Sequence, residues 1–150
     1  MIGNDIDKKS IKALAQLIEQ CNNVVITCHV KPDGDAVGST LALFHILSTL
    51  GKAAHIITPD SPPRSLRFLP GCKDIIPLSA QEDFCKSLID KAELIFCLDF
   101  NAINRLDKAA SVISGAKARK VLIDHHLYPE PFADITISRP TESSTCALLF

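Results

Sequence analysis

The sequence predicts an α/β fold: three layers, doubly wound, with a mainly parallel sheet and helices on both faces. Two observations carry this. Short β-branched and apolar runs alternate with segments of helical periodicity, which implies crossover connections between parallel strands. The strand-like runs are also apolar throughout, the pattern of strands covered on both faces. In such sheets ligands sit outside the carboxyl ends of the strands, so the residues following each strand are where chemistry is sought.

Ile11, Leu14, Leu17, Ile18 and Cys21 recur at helical spacing and predict an amphipathic first helix that stops at Asn22-Asn23. Residues 24–28 (VVITC) predict a buried strand. The polar loop HVKPDGDAVG follows. Gly34 is expected to turn its backbone so that Asp33 and Asp35 both face inward, and Gly38-Ser39 to open a helix with anion-binding amides. That helix carries Leu41, Leu43, Phe44, Ile46, Leu47 and Leu50 and is expected to stop at Gly51. Residues 53–58 predict a second strand, followed by a proline-rich loop with one short helical turn. Ser79 and Glu82 have the spacing of a capping box, opening a helix that runs to Lys91. Residues 94–100 and 120–126 predict strands, with a helix over 104–114 between them and an edge strand over 133–138 after them. The last segment, SSTCALLF, begins like a helix.

A length of 150 residues with 47% apolar content suits one domain with a hydrophobic core. The net charge of -1 excludes a strongly basic surface that holds long nucleic acid by backbone neutralisation alone. Phosphate handling then needs metal ions or local positive clusters. The cluster Lys117, Arg119 and Lys120 reads as a solvated helix end. No run reaches the roughly 18 to 20 apolar residues of a membrane-spanning helix, and the N-terminal stretch has no apolar signal core. The expectation is a cytoplasmic location with no membrane partner. There are six cysteines and no C-x-x-C pair; Cys21, Cys28, Cys85, Cys97 and Cys146 lie in apolar or strand-like runs, which points to reduced, buried thiols. The apolar C-terminal run has no stop signal, so the chain is expected to be part of a longer protein.

The chemistry lies at the strand ends. The first strand is followed by His29, Asp33 and Asp35, the third by Asp99, and the fourth by Asp124, His125 and His126. A parallel sheet brings all of these to one edge. Four aspartates placed together ionise together only when cations neutralise them. Carboxylates and imidazoles without a thiolate favour Mn²⁺, Mg²⁺ or a similar octahedral ion, Co²⁺ included. The ligands are too many for one ion, and two ions sharing one aspartate use them naturally, activating a water for displacement at phosphorus. His45, inside a helix pattern, and His55, inside a strand, read as structural, and Lys31 as solvated.

The loop from His29 to Ser39 resembles the first motif of the DHH phosphoesterases. Leu98-Asp99 resembles the second, and Asp124-His125-His126 the motif that names the family. Glu142-Ser143-Ser144-Thr145-Cys146 resembles the serine- and threonine-rich helix start of the branch with bacterial oligoribonucleases, 3'-phosphoadenosine-5'-phosphate phosphatases and cyclic-dinucleotide phosphodiesterases. The resemblance implies that His29 and Asp33 hold a first Mn²⁺, that Asp35 and His125 hold a second, and that Asp99 bridges them. It implies that His126 contacts the scissile phosphate and that Asp124 orients the histidines. It also implies a short oligonucleotide or nucleotide substrate and, for the full-length protein, a homodimer. The family's further aspartate motif and second, substrate-binding domain do not lie within residues 1–150. The chain is therefore expected to be an incomplete catalytic domain with a weakened second metal position.

Three other readings compete. An inorganic pyrophosphatase or exopolyphosphatase uses the same motifs. A non-catalytic nucleotide-binding module would show broken ligand positions, and these are intact. A dinucleotide-dependent oxidoreductase would carry G-x-G-x-x-G after the first strand, where this chain has Asp33-Gly34-Asp35.

Overall fold

The computed structural model describes residues 8–150; residues 1–7, which open the stretch inspected for a signal core, lie outside them. Six parallel strands form one sheet: β1 (Asn23–Cys28), β2 (Ala53–Thr58), β3 (Ile76–Pro77), β4 (Leu94–Leu98), β5 (Arg119–Asp124) and β6 (Ile135–Ser138). Their spatial order is β3-β2-β1-β4-β5-β6. The chain winds outward from β1 in one direction, returns to β4, and winds outward in the other. The switch point falls between β1 and β4, where a crevice opens at the carboxyl edge of doubly wound sheets.

The helices are α1 (Lys8–Gln20), α2 (Gly34–Thr49), α3 (Glu82–Lys91), α4 (Ala109–Gly115) and α5 (Thr145–Leu149). One apolar layer joins Leu17 of α1 and Val37, Leu41 and Leu47 of α2 to Val24 and Ile26 of β1, with Leu148 and Leu149 of α5 against it. The other joins Cys85 and Ile89 of α3 and Ile113 of α4 to Val25, Ile95 and Leu122. Successive β1 residues thus feed opposite layers, which explains an unbroken apolar strand. Ile26, Ile95 and Phe96 are fully buried, each contributing about 1.5–3 kcal/mol. No described helix is long and apolar enough to cross a membrane.

The chain's stop signals act as expected in one place and differently in others. Gly51 takes φ +73° after α2, and the Gly51 and Lys52 amides donate to Ser48 and Leu47 carbonyls, closing a Schellman motif. Helix α2 starts at Gly34, not at Gly38-Ser39, because Asp33 caps it: Oδ1 accepts the Asp35 and Ala36 amides at 3.1 and 3.0 Å. Gly38 and Ser39 lie inside the helix and offer no N-terminal amides. Gly34 needs no unusual turn, since its φ is not positive. The capping box is not made. Gln81 precedes α3 without a side-chain cap, and Glu82 reaches forward to Lys86 at 2.6 Å. The helix expected over 104–114 is two pieces, a 3-10 turn (Ile103–Leu106) and α4, separated by Asp107 at φ +48°. Strand β3 was not expected; its two residues are too few to leave a pattern. Lys120 is not solvated: Nζ donates to the Ala116 and Ala118 carbonyls at 2.8 and 3.2 Å, just past the end of α4.

Candidate metal centre

Strand β1 ends and delivers His29, which is buried at 6% exposure. Its Nδ1 lies 2.7 Å from the Val30 carbonyl. A carbonyl only accepts, so Nδ1 carries the hydrogen and Nε2 is left with a free lone pair. That atom faces Asp99 Oδ2 at 3.5 Å and Asp33 Oδ1 at 3.8 Å. When Nε2 takes up a proton, Asp99 accepts a hydrogen bond from it, and this holds the His29 imidazole above its ordinary range against the opposing effect of burial.

Strand β4 ends at Leu98, two residues earlier than its apolar pattern, because Asp99 turns to φ +64°. This conformation is uncommon but easiest for Asp and Asn. The turn puts the carboxylate, only 2% exposed, in the centre of the site. Oδ2 faces His29, while Oδ1 faces His125 Nε2 at 3.5 Å and accepts the Thr145 hydroxyl at 3.0 Å. The two oxygens of one carboxylate thus serve two neighbouring clusters. Ligand atoms of His29, Asp33 and Asp99 lie within 4.8 Å of one another, as do those of Asp99, His125 and His126.

Asp35 joins the second cluster, with Oδ2 3.5 Å from His125 Nε2. Its oxygens also accept the Thr145 and Cys146 amides at 2.8 and 2.9 Å, at the start of α5. Burial pushes the Asp35 carboxyl up, but the hydrogen bonds from Cys146 and Thr145 outweigh it and hold the group below its usual range. Asp33 and Asp35 therefore serve different clusters rather than turning inward together. Asp124 is fully buried and directed at His126 alone: Oδ1 lies 2.6 Å from His126 Nδ1 and Oδ2 accepts the His126 amide at 3.1 Å.

All seven predicted side chains meet at this edge. The donor set suits a hard divalent ion: carboxylate oxygens, His29 with a free Nε2, and no thiolate among them. Burial pushes the Cys97 thiol up to about 12 and the Cys146 thiol likewise to about 12. All six cysteines are free, and all but Cys146 are buried. His45 and His55 stand apart; His45 Nε2 lies 3.1 Å from the Pro70 carbonyl.

Residues 23–150 match the model of the DHH family, N-terminal domain. The chain belongs to the DHH family. A curated relative, the bifunctional oligoribonuclease and PAP phosphatase NrnA of Thermus thermophilus, is 30% identical over 126 residues, which are 84% of this chain and 35% of the relative. An exopolyphosphatase-related protein of Bacteroides fragilis is 42% identical with a TM-score of 0.96, covering 99% of this chain and 44% of that one. RecJ of Thermus thermophilus, solved in complex with Mn²⁺, shares the fold at 13% identity and TM-score 0.54, over 95% of this chain and 19% of that one. The DHH chain thus spans about a third of the curated relative it matches.

Thr145 and Cys146 of this DHH chain join the site from the start of α5. Their amides and the Thr145 hydroxyl fix two of the carboxylates. The signal was present in Ser144, whose Oγ accepts the Ala147 amide at 3.1 Å and caps α5. What the pattern did not carry was that a helix start 110 residues downstream meets Asp35.

Proposed function

We propose that the chain is the metal-binding part of a two-metal phosphoesterase that hydrolyses short oligonucleotides or nucleotide phosphates. The observation that carries this is Asp99, a buried carboxylate whose two oxygens face two separate ligand clusters. His29 and Asp33 would hold one ion, Asp35 and His125 the other, with Asp99 shared. Such ions supply Lewis acidity, neutralising phosphoryl oxygens and lowering the pKa of a coordinated water. Mn²⁺ fits the donors, and RecJ, which shares the fold, holds that ion.

The chain's own residues do the positioning. His126 gives Nδ1 to Asp124, so the rest of its ring is free to meet a phosphate oxygen. Asp124 fixes the ring's orientation and tautomer through Nδ1. Thr145 holds Asp99 in place, and the start of α5 holds Asp35. The substrate-binding contacts would come from a second domain of a longer protein. The chain's coverage of only 35% of NrnA supports that. Six free cysteines support a reducing, cytoplasmic setting. The homodimer belongs to the same reading, and sedimentation of the full-length protein tests it.

The test is hydrolysis of a dinucleotide and of pyrophosphate by the full-length protein with and without Mn²⁺. Cleavage of the dinucleotide that requires Mn²⁺ and disappears in Asp99→Ala is expected. Activity that survives this change sinks the bridging role. Faster cleavage of pyrophosphate favours the second reading, which the likeness to the exopolyphosphatase-related protein keeps in play.

A further inference from the structure

Tyr128 stands two residues beyond His126 with 86% of its surface open, beside Leu127 with 59% open. Its backbone sits at φ +56°, an outlier for a bulky aromatic residue. Such a conformation persists only where the surroundings over-determine it, and it clusters at ligand-contacting segments.

The surroundings here do over-determine it. Asn101, two residues after Asp99, donates Nδ2–H to the Leu127 carbonyl and accepts the Glu130 amide, both at 2.7 Å. The Glu130 carboxylate in turn accepts the Ile103 amide at 3.0 Å. Phe132 stacks on buried Phe100 with ring centroids 5.8 Å apart and planes 3° from parallel. The loop 127–132 is tied at each of these points to the segment following Asp99. The backbone that carries the open ring is therefore tied to the segment that follows Asp99.

Resting on the phosphoesterase reading above, we propose that Tyr128 is the stacking platform for the nucleobase next to the cleaved phosphate, with Leu127 as its apolar edge. Two residues of chain span at most about 7 Å, comparable to the reach of one sugar between a phosphate at His126 and its base. An exposed ring on a tied backbone gains by being covered, and every base has a face to offer it. Inorganic phosphate chains have none. The platform would thus make the centre prefer nucleotides over inorganic substrates without reading base identity.

The experiment uses the full-length protein with Mn²⁺ and two substrates, a ribodinucleotide and the same molecule lacking the base beside the cleaved phosphate. Wild type is expected to favour the base-bearing substrate through KM. Tyr128→Ala should shrink that preference by about tenfold or more, and Tyr128→Phe should keep it. Tyr128→Gly should lose it while raising the melting temperature, because glycine accepts the left-handed backbone that tyrosine resists. A preference unchanged in Tyr128→Ala overturns the platform while leaving the phosphoesterase intact. So does a Tyr128→Gly protein that melts lower, since the ring would then be structural. A wild type that cleaves neither substrate overturns the phosphoesterase reading and takes the platform with it.

Discussion

Around His29, the orienting bonds are short in sequence: His29 leans on the Val30 carbonyl, and Asp33 caps the helix that begins beside it. Around His125, the orienting bonds span the chain. Asp35 is gripped by amides 110 and 111 residues away, and Thr145 reaches Asp99 across 46. Apart from the shared Asp99, the first cluster is built by one strand, one loop and a helix start. In the second, the bonds that fix Asp35 form only once α5 has docked against α2. Asp99 belongs to both. On the proposed reading, local assembly should make the first cluster the sturdier ion site, and long-range assembly should make the second the one that perturbation of α5 reaches first.

Removing the shared residue should erase the difference. Asp99→Asn is expected to weaken Mn²⁺ binding at both positions by more than about 100-fold, beyond what loss of a merely orienting group costs; calorimetry on the chain measures it. Thr145→Val should sharpen the difference instead. It removes one hydroxyl donor while keeping the amide to Asp35, so the second position should weaken by about 10–100-fold and the first much less.

The two clusters should also part in their response to pH. A proton and a metal ion compete for His29 Nε2. Asp99 raises the His29 pKa above 6.5, so the proton is held to higher pH than on a free imidazole. Affinity at the first position should therefore climb by about tenfold per pH unit until that raised pKa is passed, then level off. Titration calorimetry across pH reads this, and a plateau already below 6.5 would contradict it.

The smallest effects concern two glycines of α2. A Cβ on Gly34 meets nothing within 4 Å, whereas one on Gly38 lies 3.1 Å from Cys146 Sγ. Gly34→Ala should stabilise by about 0.5 kcal/mol. Gly38→Ala should lose its propensity gain to crowding, destabilise by about 1 kcal/mol, and push α5 away from Asp35. Thermal unfolding compares them, and equal gains would mean that α5 does not press on α2.

The same division explains how much could be read from the residues. The sheet was legible because its central strands, β1 and β4, are runs of buried residues, and the candidate ligands were legible because they follow such runs directly. Three things were not. The cap at Asp33 and the absent box at Ser79 and Glu82 depend on which local hydrogen bond wins. Strand β3 has only two residues and is defined by its pairing with β2. The grip of Thr145 and Cys146 on Asp35 is a tertiary contact between segments at opposite ends of the sequence, and no local pattern announces such a meeting.

The most direct measurement is electron paramagnetic resonance of the chain titrated with Mn²⁺. If Asp99 joins the two clusters, the second equivalent should convert the isolated-ion spectrum into that of an exchange-coupled pair, and Asp99→Asn should abolish the coupling. Two equivalents bound with only isolated-ion signals would mean that the clusters hold separate ions and that Asp99 does not bridge them.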